Sequence, residues 1–258
     1  MRESPAKLFA NNVFNDRAMR ERLPKHVYQK LQEAISGGDK MDFHVAEIVA
    51  TAIKEWAVSC GATHYTHWFH PRTELTAEKH MAFLTVDANG MPIESFNGEE
   101  LIQSEPDASS LPSGGMRSTF EARGYTAWDP TSPAFVIPSE KGGTLCIPSV
   151  FISNDGTPLD MKTPLLRALA AVEERTLRIL KLFGNRNVRT VRVTMGAEQE
   201  FFLIDAEKAK ERADILYCGR TLIGSSPPKG QQMEDHYFGS IHPRVLSFME
   251  DLGERMLS

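Results

Sequence analysis

Two carboxylates separated by one residue, Glu198 and Glu200, lie in the run Gly196-Ala197-Glu198-Gln199-Glu200-Phe201-Phe202-Leu203-Ile204-Asp205. On a β-strand, side chains two apart point to the same face, which would set these acids side by side at about 6–7 Å. Buried carboxylates need a partner, because an unpaired charge costs several kcal/mol or more to desolvate. Two acids on one face of an apolar strand therefore invite a cation. The same pattern equally fits an antiparallel edge strand with Glu198 and Glu200 in solvent and Phe201 and Leu203 inward.

The neighbouring elements would have to hold these residues in place. Val188 to Met195 alternates apolar and polar residues and predicts a strand, with Gly196 as the turn or bulge between it and the acidic run. Before it, Thr163-Pro164 reads as an N-cap and first turn. The predicted helix carries Leu166, Leu169, Ala170, Glu173, Leu177, Leu180 and Phe183 on one face, mostly as core, and ends at Gly184. A short helix is expected from Ala206 to about Asp214, and a final one opens at His242-Pro243 with Val245, Phe248, Met249 and Leu252.

Toward the N-terminus, Pro24 opens a helix with Val27, Leu31 and Ile35 on one side. Asp42 caps a second helix whose apolar positions are Val45, Ile48, Val49, Ala52, Ile53 and Trp56, with Gly61 just past its end. From Ala62 to about Asp155 the chain turns to short apolar runs, including a hairpin signal at Asn89-Gly90 between Ala82–Asp87 and Ile93–Phe96. The polar, Pro- and Gly-bearing stretch from Glu105 to Gly115 reads as a surface loop. The fold class is α+β.

Other reactive residues carry less. His64, His67 and His70 recur every third residue, a spacing that fits neither one strand face nor the i, i+4 helical zinc pair. Cys60, Cys146 and Cys218 are far apart and odd in number, which argues against a disulfide framework or thiolate zinc site and makes them small buried apolar residues. Ser225-Ser226-Pro227-Pro228-Lys229-Gly230 lacks the Walker spacing. At 258 residues, 41% hydrophobic, 24% charged and net charge −5, the chain is an ordinary globular sequence of one or two domains. Nothing in that balance recommends nucleic acid or a membrane as partner, and without an apolar leader a cytoplasmic location is expected.

These motifs together resemble a family. Gly196 to Asp205 resembles the Gly-x-Glu-x-Glu-Phe-Phe-Leu element of glutamine synthetases. Thr66-His67-Trp68-Phe69 through Thr76-Ala77-Glu78-Lys79-His80, Leu111-Pro112-Ser113-Gly114-Gly115 through Thr131-Ser132-Pro133-Ala134-Phe135, and Lys162-Thr163-Pro164-Leu165-Leu166-Arg167 are similar to the type III branch. So are Phe14-Asn15-Asp16-Arg17 with Met19 to Pro24, and Pro227-Pro228-Lys229-Gly230 with Glu234-Asp235-His236-Tyr237-Phe238. The likeness runs in order along nearly the whole chain, corresponding to about the N-terminal third of the family's.

That resemblance implies an N-terminal helical region over 1–61, a β-grasp domain over 62–157, and over 158–258 the beginning of a catalytic domain built on a curved antiparallel sheet with helices. It implies ATP-dependent ligation of ammonia to L-glutamate through γ-glutamyl phosphate, a reaction of nitrogen assimilation, with Mg²⁺ or Mn²⁺ as cofactor and a ring oligomer, a dodecamer, as the assembly. Glu198 would carry over as a ligand of the metal nearer ATP and Glu200 of the metal nearer glutamate. Asp107 resembles the aspartate that helps bind and deprotonate ammonium in a neighbouring subunit's site, its alternative being a loop cap. Tyr237 resembles a tyrosine near the ammonium and glutamate pocket, its alternative being a core aromatic. His70, Arg72 and Met81 depart from the type III pattern. The family's remaining metal ligands and its substrate-binding arginines are expected beyond Ser258, which makes this chain an N-terminal portion inactive alone. The rival reading is a non-catalytic regulatory or assembly module with the synthetase fold.

Overall fold

A computed structural model describes residues 8–36, 41–69, 79–104, 124–140, 142–196, 203–222 and 241–256. The chain divides into two compact units, residues 10–193 and residues 1–9 with 194–258.

The larger unit opens with three helices whose ends are set by local chemistry. In α1 (Asp16–Arg22) the Asn15 side chain accepts the Ala18 N–H at 3.2 Å. Pro24 precedes α2 (Lys25–Ile35), where Val27 and Leu31 are buried and Ile35 is partly so. Asp42 caps α3 (Phe43–Ser59) by accepting the His44 N–H at 3.1 Å, and Gly61, at φ +86°, makes the left-handed exit that glycine tolerates best. Val45, Val49, Ala52, Ile53 and Trp56 are all buried, so the expected stripe is the core face of α3.

That face packs on a mixed, curled sheet of β1 (Ala62–Trp68), β2 (Met81–Ala82), β5 (Gln103–Ser104), β6 (Gly124–Trp128), β7 (Phe135–Ile137) and β8 (Gly143–Ser153). The organiser is β8. Its first half pairs with β1 in parallel on one edge and with β7 antiparallel on the other; its second half pairs antiparallel with β6, which carries β5. Pro148 interrupts β8 where the β1 pairing ends and the β6 pairing begins, so its missing N–H falls at the change of partner. One core runs through helices and sheet, from Phe14 and Leu31 through Ile53 and Trp56 to Tyr65, Phe83, Leu145 and Ile147.

A separate two-stranded hairpin, β3 (Leu84–Val86) and β4 (Pro92–Glu94), forms where the Asn89-Gly90 signal predicts. Its turn is a three-residue loop: Gly90 N–H reaches Asp87 O at 3.0 Å, Gly90 sits at φ +77°, and the Asp87 carboxylate accepts from the Asn89 and Met91 N–H groups. The five-residue α4 (Gly98–Ile102) links it to β5.

Several expectations are corrected. The helix after β8, α5 (Lys162–Leu182), has its side-chain cap from Asp160 rather than Thr163: Asp160 accepts the Thr163 N–H at 3.1 Å and the Phe151 N–H at 3.0 Å. Its apolar stripe is not core, because Thr163 is the helix's one buried residue among those described, Leu166, Leu169, Leu177 and Leu180 are half-buried, and Phe183 is exposed. Residues 188–196 form no strand, since alternation yields a ladder only against a partner and none of the described residues supplies one. Of the cysteines, Cys146 is buried, Cys60 half-buried and Cys218 exposed.

The smaller unit is described as three helices: α6 (Ala206–Lys210), α7 (Ala213–Cys218) and α8 (Pro243–Arg255). The single short helix expected from 206 to 214 is thus two, the second closed by Gly219 at φ +68°. His242 caps α8 by accepting the Arg244 N–H at 3.2 Å, with Pro243 in the first turn. No helix among the described residues is long and apolar enough to cross a membrane.

Candidate functional site

Glu198, Glu200, Asp107 and Tyr237 all lie outside the described residues, as does His70. The structure therefore describes what borders them. Chain order puts Asp107 three residues beyond Ser104, the end of β5. Asp205, the last residue of the acidic run, caps α6 by accepting the Glu207 N–H at 3.0 Å.

The most developed polar cluster of the larger unit converges on the short stretch from α4 to Ser104. The sequence Asn97-Gly98-Glu99-Glu100 folds as a capping box, Asn97 Oδ1 accepting the Glu100 N–H at 2.9 Å and Glu100 Oε2 accepting the Asn97 N–H at 2.8 Å. The same stretch is tied to two other elements. Glu47 of α3 accepts the Gly98 N–H at 2.6 Å, and Tyr65 of β1 donates its hydroxyl to Glu100 Oε1 at 2.9 Å. Burial raises the Tyr65 hydroxyl well above its ordinary pKa, and the Glu100 carboxylate adds to the shift.

Two residues along β1, on the same strand face, His67 is buried with both ring nitrogens engaged. Nε2 lies 2.7 Å from Glu100 O; a carbonyl only accepts, so Nε2 carries the proton. Nδ1 then faces Thr126 Oγ1 of β6 at 2.9 Å and Ser149 Oγ of β8 at 3.0 Å. These hydroxyls also have carbonyl acceptors, Thr126 toward Ser104 O and Ser149 toward Ile147 O, each at 3.0 Å. Burial disfavours the imidazolium and lowers the His67 pKa to about 4, against the upward pull of the Glu100 carbonyl. In the neutral ring two hydroxyl protons serve three acceptors: Nδ1, Ser104 O and Ile147 O. The cluster is thus a shared-proton network joining β1, α4, β5, β6 and β8.

A second polar point fastens the start of α5. Asp129, only 4% exposed, accepts from the Thr131 N–H at 3.0 Å and the Ser132 hydroxyl at 3.1 Å and meets the Lys162 ammonium at 2.6 Å. Burial alone would raise the Asp129 pKa; Lys162 and Thr131 outweigh it and hold the carboxyl below its ordinary value. An open groove lined by Phe43, Glu99, Ile102, Gln103 and Ser104 lies beside the α4–β5 stretch. Of the histidines read for metal, His64 is exposed beside Thr63 while His67 is buried, and no three His, Cys, Asp or Glu groups among the described residues stand together as an ion site.

Sequence reasoning missed the His67 network because its members lie far apart in the chain, at 65–67, 97–104, 126 and 149. One local signal was present: Asn97 followed by Glu100 is a capping-box spacing.

Known proteins similar to this chain share one activity in their names. It is 50% identical over 244 residues to "Glutamine synthetase" of Bacteroides fragilis (strain YCH46), covering 95% of this chain and 33% of that protein. It is 47% identical to "Type-3 glutamine synthetase" of Dictyostelium discoideum, covering 96% and 34%, and 34% identical to "Glutamine synthetase" of Butyrivibrio fibrisolvens, covering 96% and 35%. Residues 5–168 match the family model described as glutamine synthetase type III N terminal. The chain belongs to the type III glutamine synthetases and spans about a third of the length of these relatives.

Proposed function

We propose that residues 1–258 are the N-terminal part of an enzyme that ligates ammonia to L-glutamate at the expense of ATP, through γ-glutamyl phosphate. The observation that carries this reading is the identity of 50% across 95% of the chain to a protein named glutamine synthetase. The N-terminal helical region at 1–61, the β-grasp domain at 62–157 and the opening of the catalytic domain at 158–258 belong to the same proposal, as does assembly into a ring. The parallel β1–β8 pairing beside α3 supports the β-grasp reading.

In this reading Glu198 and Glu200 hold one divalent ion each, and their donor chemistry fits, since carboxylate oxygens suit Mg²⁺ or Mn²⁺. The ions, when bound, neutralise phosphate charge that would otherwise repel the attacking γ-carboxylate of glutamate. Asp107 offers the anionic site that holds ammonium and takes one of its protons, leaving ammonia to displace phosphate from the γ-glutamyl carbon. Tyr237 borders that pocket. Each ion needs several protein ligands and this stretch supplies one apiece, so the site is shared with further sequence.

The test is direct. Residues 1–258 alone form no glutamine from glutamate, ammonium and ATP, whereas the complete polypeptide does; Glu198→Ala or Glu200→Ala in the complete polypeptide abolishes turnover and weakens Mn²⁺ binding. Glutamine formation by residues 1–258, or Mn²⁺ binding indifferent to both substitutions, would overturn the proposal.

A further inference from the structure

Every residue of the two hairpin strands is exposed, Leu84, Val86, Pro92 and Ile93 among them. A two-stranded ribbon is marginal on its own, and this one is held at its root, where Phe83 and Phe96 are buried against Tyr65 with ring centroids 5.4 and 4.7 Å from that of the tyrosine. Its two long edges differ. The Ser95 N–H donates to Phe83 O at 2.9 Å and the Asp87 N–H to Met91 O at 2.8 Å. Bonds to one neighbouring strand come from alternate residues, so Phe83, Thr85 and Asp87 bond toward β4, while Leu84 and Val86 turn their backbone groups outward. By the same alternation Pro92 and Glu94 turn outward on β4. That edge is closed to a further strand: Pro92 has no N–H to give, and Glu94 O already accepts from the Lys54 ammonium of α3 at 3.1 Å. The β3 edge has no such protection. Leu84, Thr85 and Val86 bring neither charge nor proline to it, and among the described residues β4 is the sheet partner of β3. The Phe83 N–H goes to Thr63 O at 3.1 Å, so the open edge begins at Leu84.

The outward groups match one another across a two-fold axis. We propose that β3 pairs antiparallel with β3 of a second copy of this chain, with Thr85 on the axis and Leu84 opposite Val86 of the partner subunit. Leu84 and Val86 of each copy then donate to and accept from the other's, and the two ribbons join into a single sheet in the order β4, β3, β3, β4. The side chains agree with this register. Leu84 and Val86, 67% and 64% exposed, lie on one face together with Pro92, and pairing makes that apolar face continuous between the copies. Like charges stay apart, because Asp87 lies at the end of the paired stretch and its carboxylate is engaged by the Asn89 and Met91 N–H groups. A strand of an unrelated chain would have to suit this three-residue edge by its own sequence, whereas a second copy suits it by symmetry. The contact is isologous, and so distinct from the head-to-tail contact that closes a ring.

Cross-linking and sedimentation test it on residues 1–258. Opposite Thr85 residues form a pair without mutual hydrogen bonds, whose Cα atoms stand about 4.5 Å apart, within the span of a disulfide. With Cys218→Ser as background, Thr85→Cys under mild oxidation gives a dimer linked through residue 85, and Ile93→Cys, on the closed side of the ribbon, gives at least about tenfold less. Without oxidant, the average mass of the unmodified chain rises from one protomer toward two between about 1 μM and about 1 mM, the range of a weak contact. Leu84→Lys, which puts a charge on the exposed face and leaves the bonds within the ribbon intact, holds the mass at one protomer, as does Val86→Lys. No linkage at residue 85, or linkage equal at residues 85 and 93, overturns the proposal. So does a mass that never rises, which would leave the edge to a different chain, and so does a rise that both lysine variants retain, which would assign the association to another surface.

Discussion

Helices α3 and α5 carry the same sequence signal and meet different fates. Both show apolar residues at helical spacing, both begin at a definable cap, and both run for several turns within residues 10–193. In α3 the stripe is sealed: Val49 is 0% and Ile53 2% exposed. In α5 the anchors are polar and few: Asp160, Lys162, Arg167, whose guanidinium donates to Gly156 O at 2.9 Å, and Glu173, which accepts the Val191 N–H at 3.1 Å. Beyond it, Ile179 is 52% and Phe183 84% exposed. Periodicity thus reports which face of a helix is apolar, and burial depends on whether an opposing surface is present.

The comparison breaks most readily at matched isoleucines. In residues 1–258, Ile53→Ala should cost about 4 kcal/mol in urea denaturation, since it opens a cavity in a closed core, whereas Ile179→Ala should cost less than about 1 kcal/mol. Equal losses would mean that the outer flank of α5 is covered in solution. Acid probes the sealed half by a second route. The folded-state pKa of His67 lies at about 4, below its unfolded value near 6.5, so the unfolded chain binds the extra proton first. Stability should be complete above about pH 6.5, fall as pH drops, and be lower by about 3 kcal/mol at and below pH 4. Denaturation midpoints across that range should show the slope, and His67→Leu should flatten it; an unchanged slope would assign it to other groups. The smallest effect concerns glycines. A Cβ on Gly124 would collide with Ile152 O and lie 2.7 Å from Leu159 Cδ1, while one on Gly196 meets nothing within 4 Å. Gly124→Ala should therefore destabilise by about 2 kcal/mol and Gly196→Ala by well under that, read as the shift in thermal midpoint.

Legibility followed the range of the interaction that decides each feature. Asp42, Gly61, Gly90 and the His242-Pro243 pair act within a few residues, and each structure they mark is present. The strand expected at 188–195 depends on a partner elsewhere, and alternation says nothing about whether one is available. In β8, Pro148 disguised the central strand, because a proline mid-run argues against a strand unless its neighbours change partner there. At Thr163-Pro164 the residue types were right for a helix start, yet Asp160, three residues upstream, reaches the same N–H and also ties the helix to β8. The acidic pair was legible as a motif, while the buried His67 network depends on four distant segments and became readable only in three dimensions.

The parallel pairing of β1 with β8 also has a consequence in time. His64 meets Thr144, so about eighty residues must leave the ribosome before β1 finds the strand beside it. At about 5–20 residues per second that is a wait of roughly 4 to 16 s, far longer than a helix or hairpin takes to form. Helices α1 to α3 and the β3–β4 hairpin can be made and lost many times in that interval. The nascent chain must therefore hold Ile53, Trp56 and Tyr65 open to solvent until β8 arrives, and that window is when a chaperone has most to offer it.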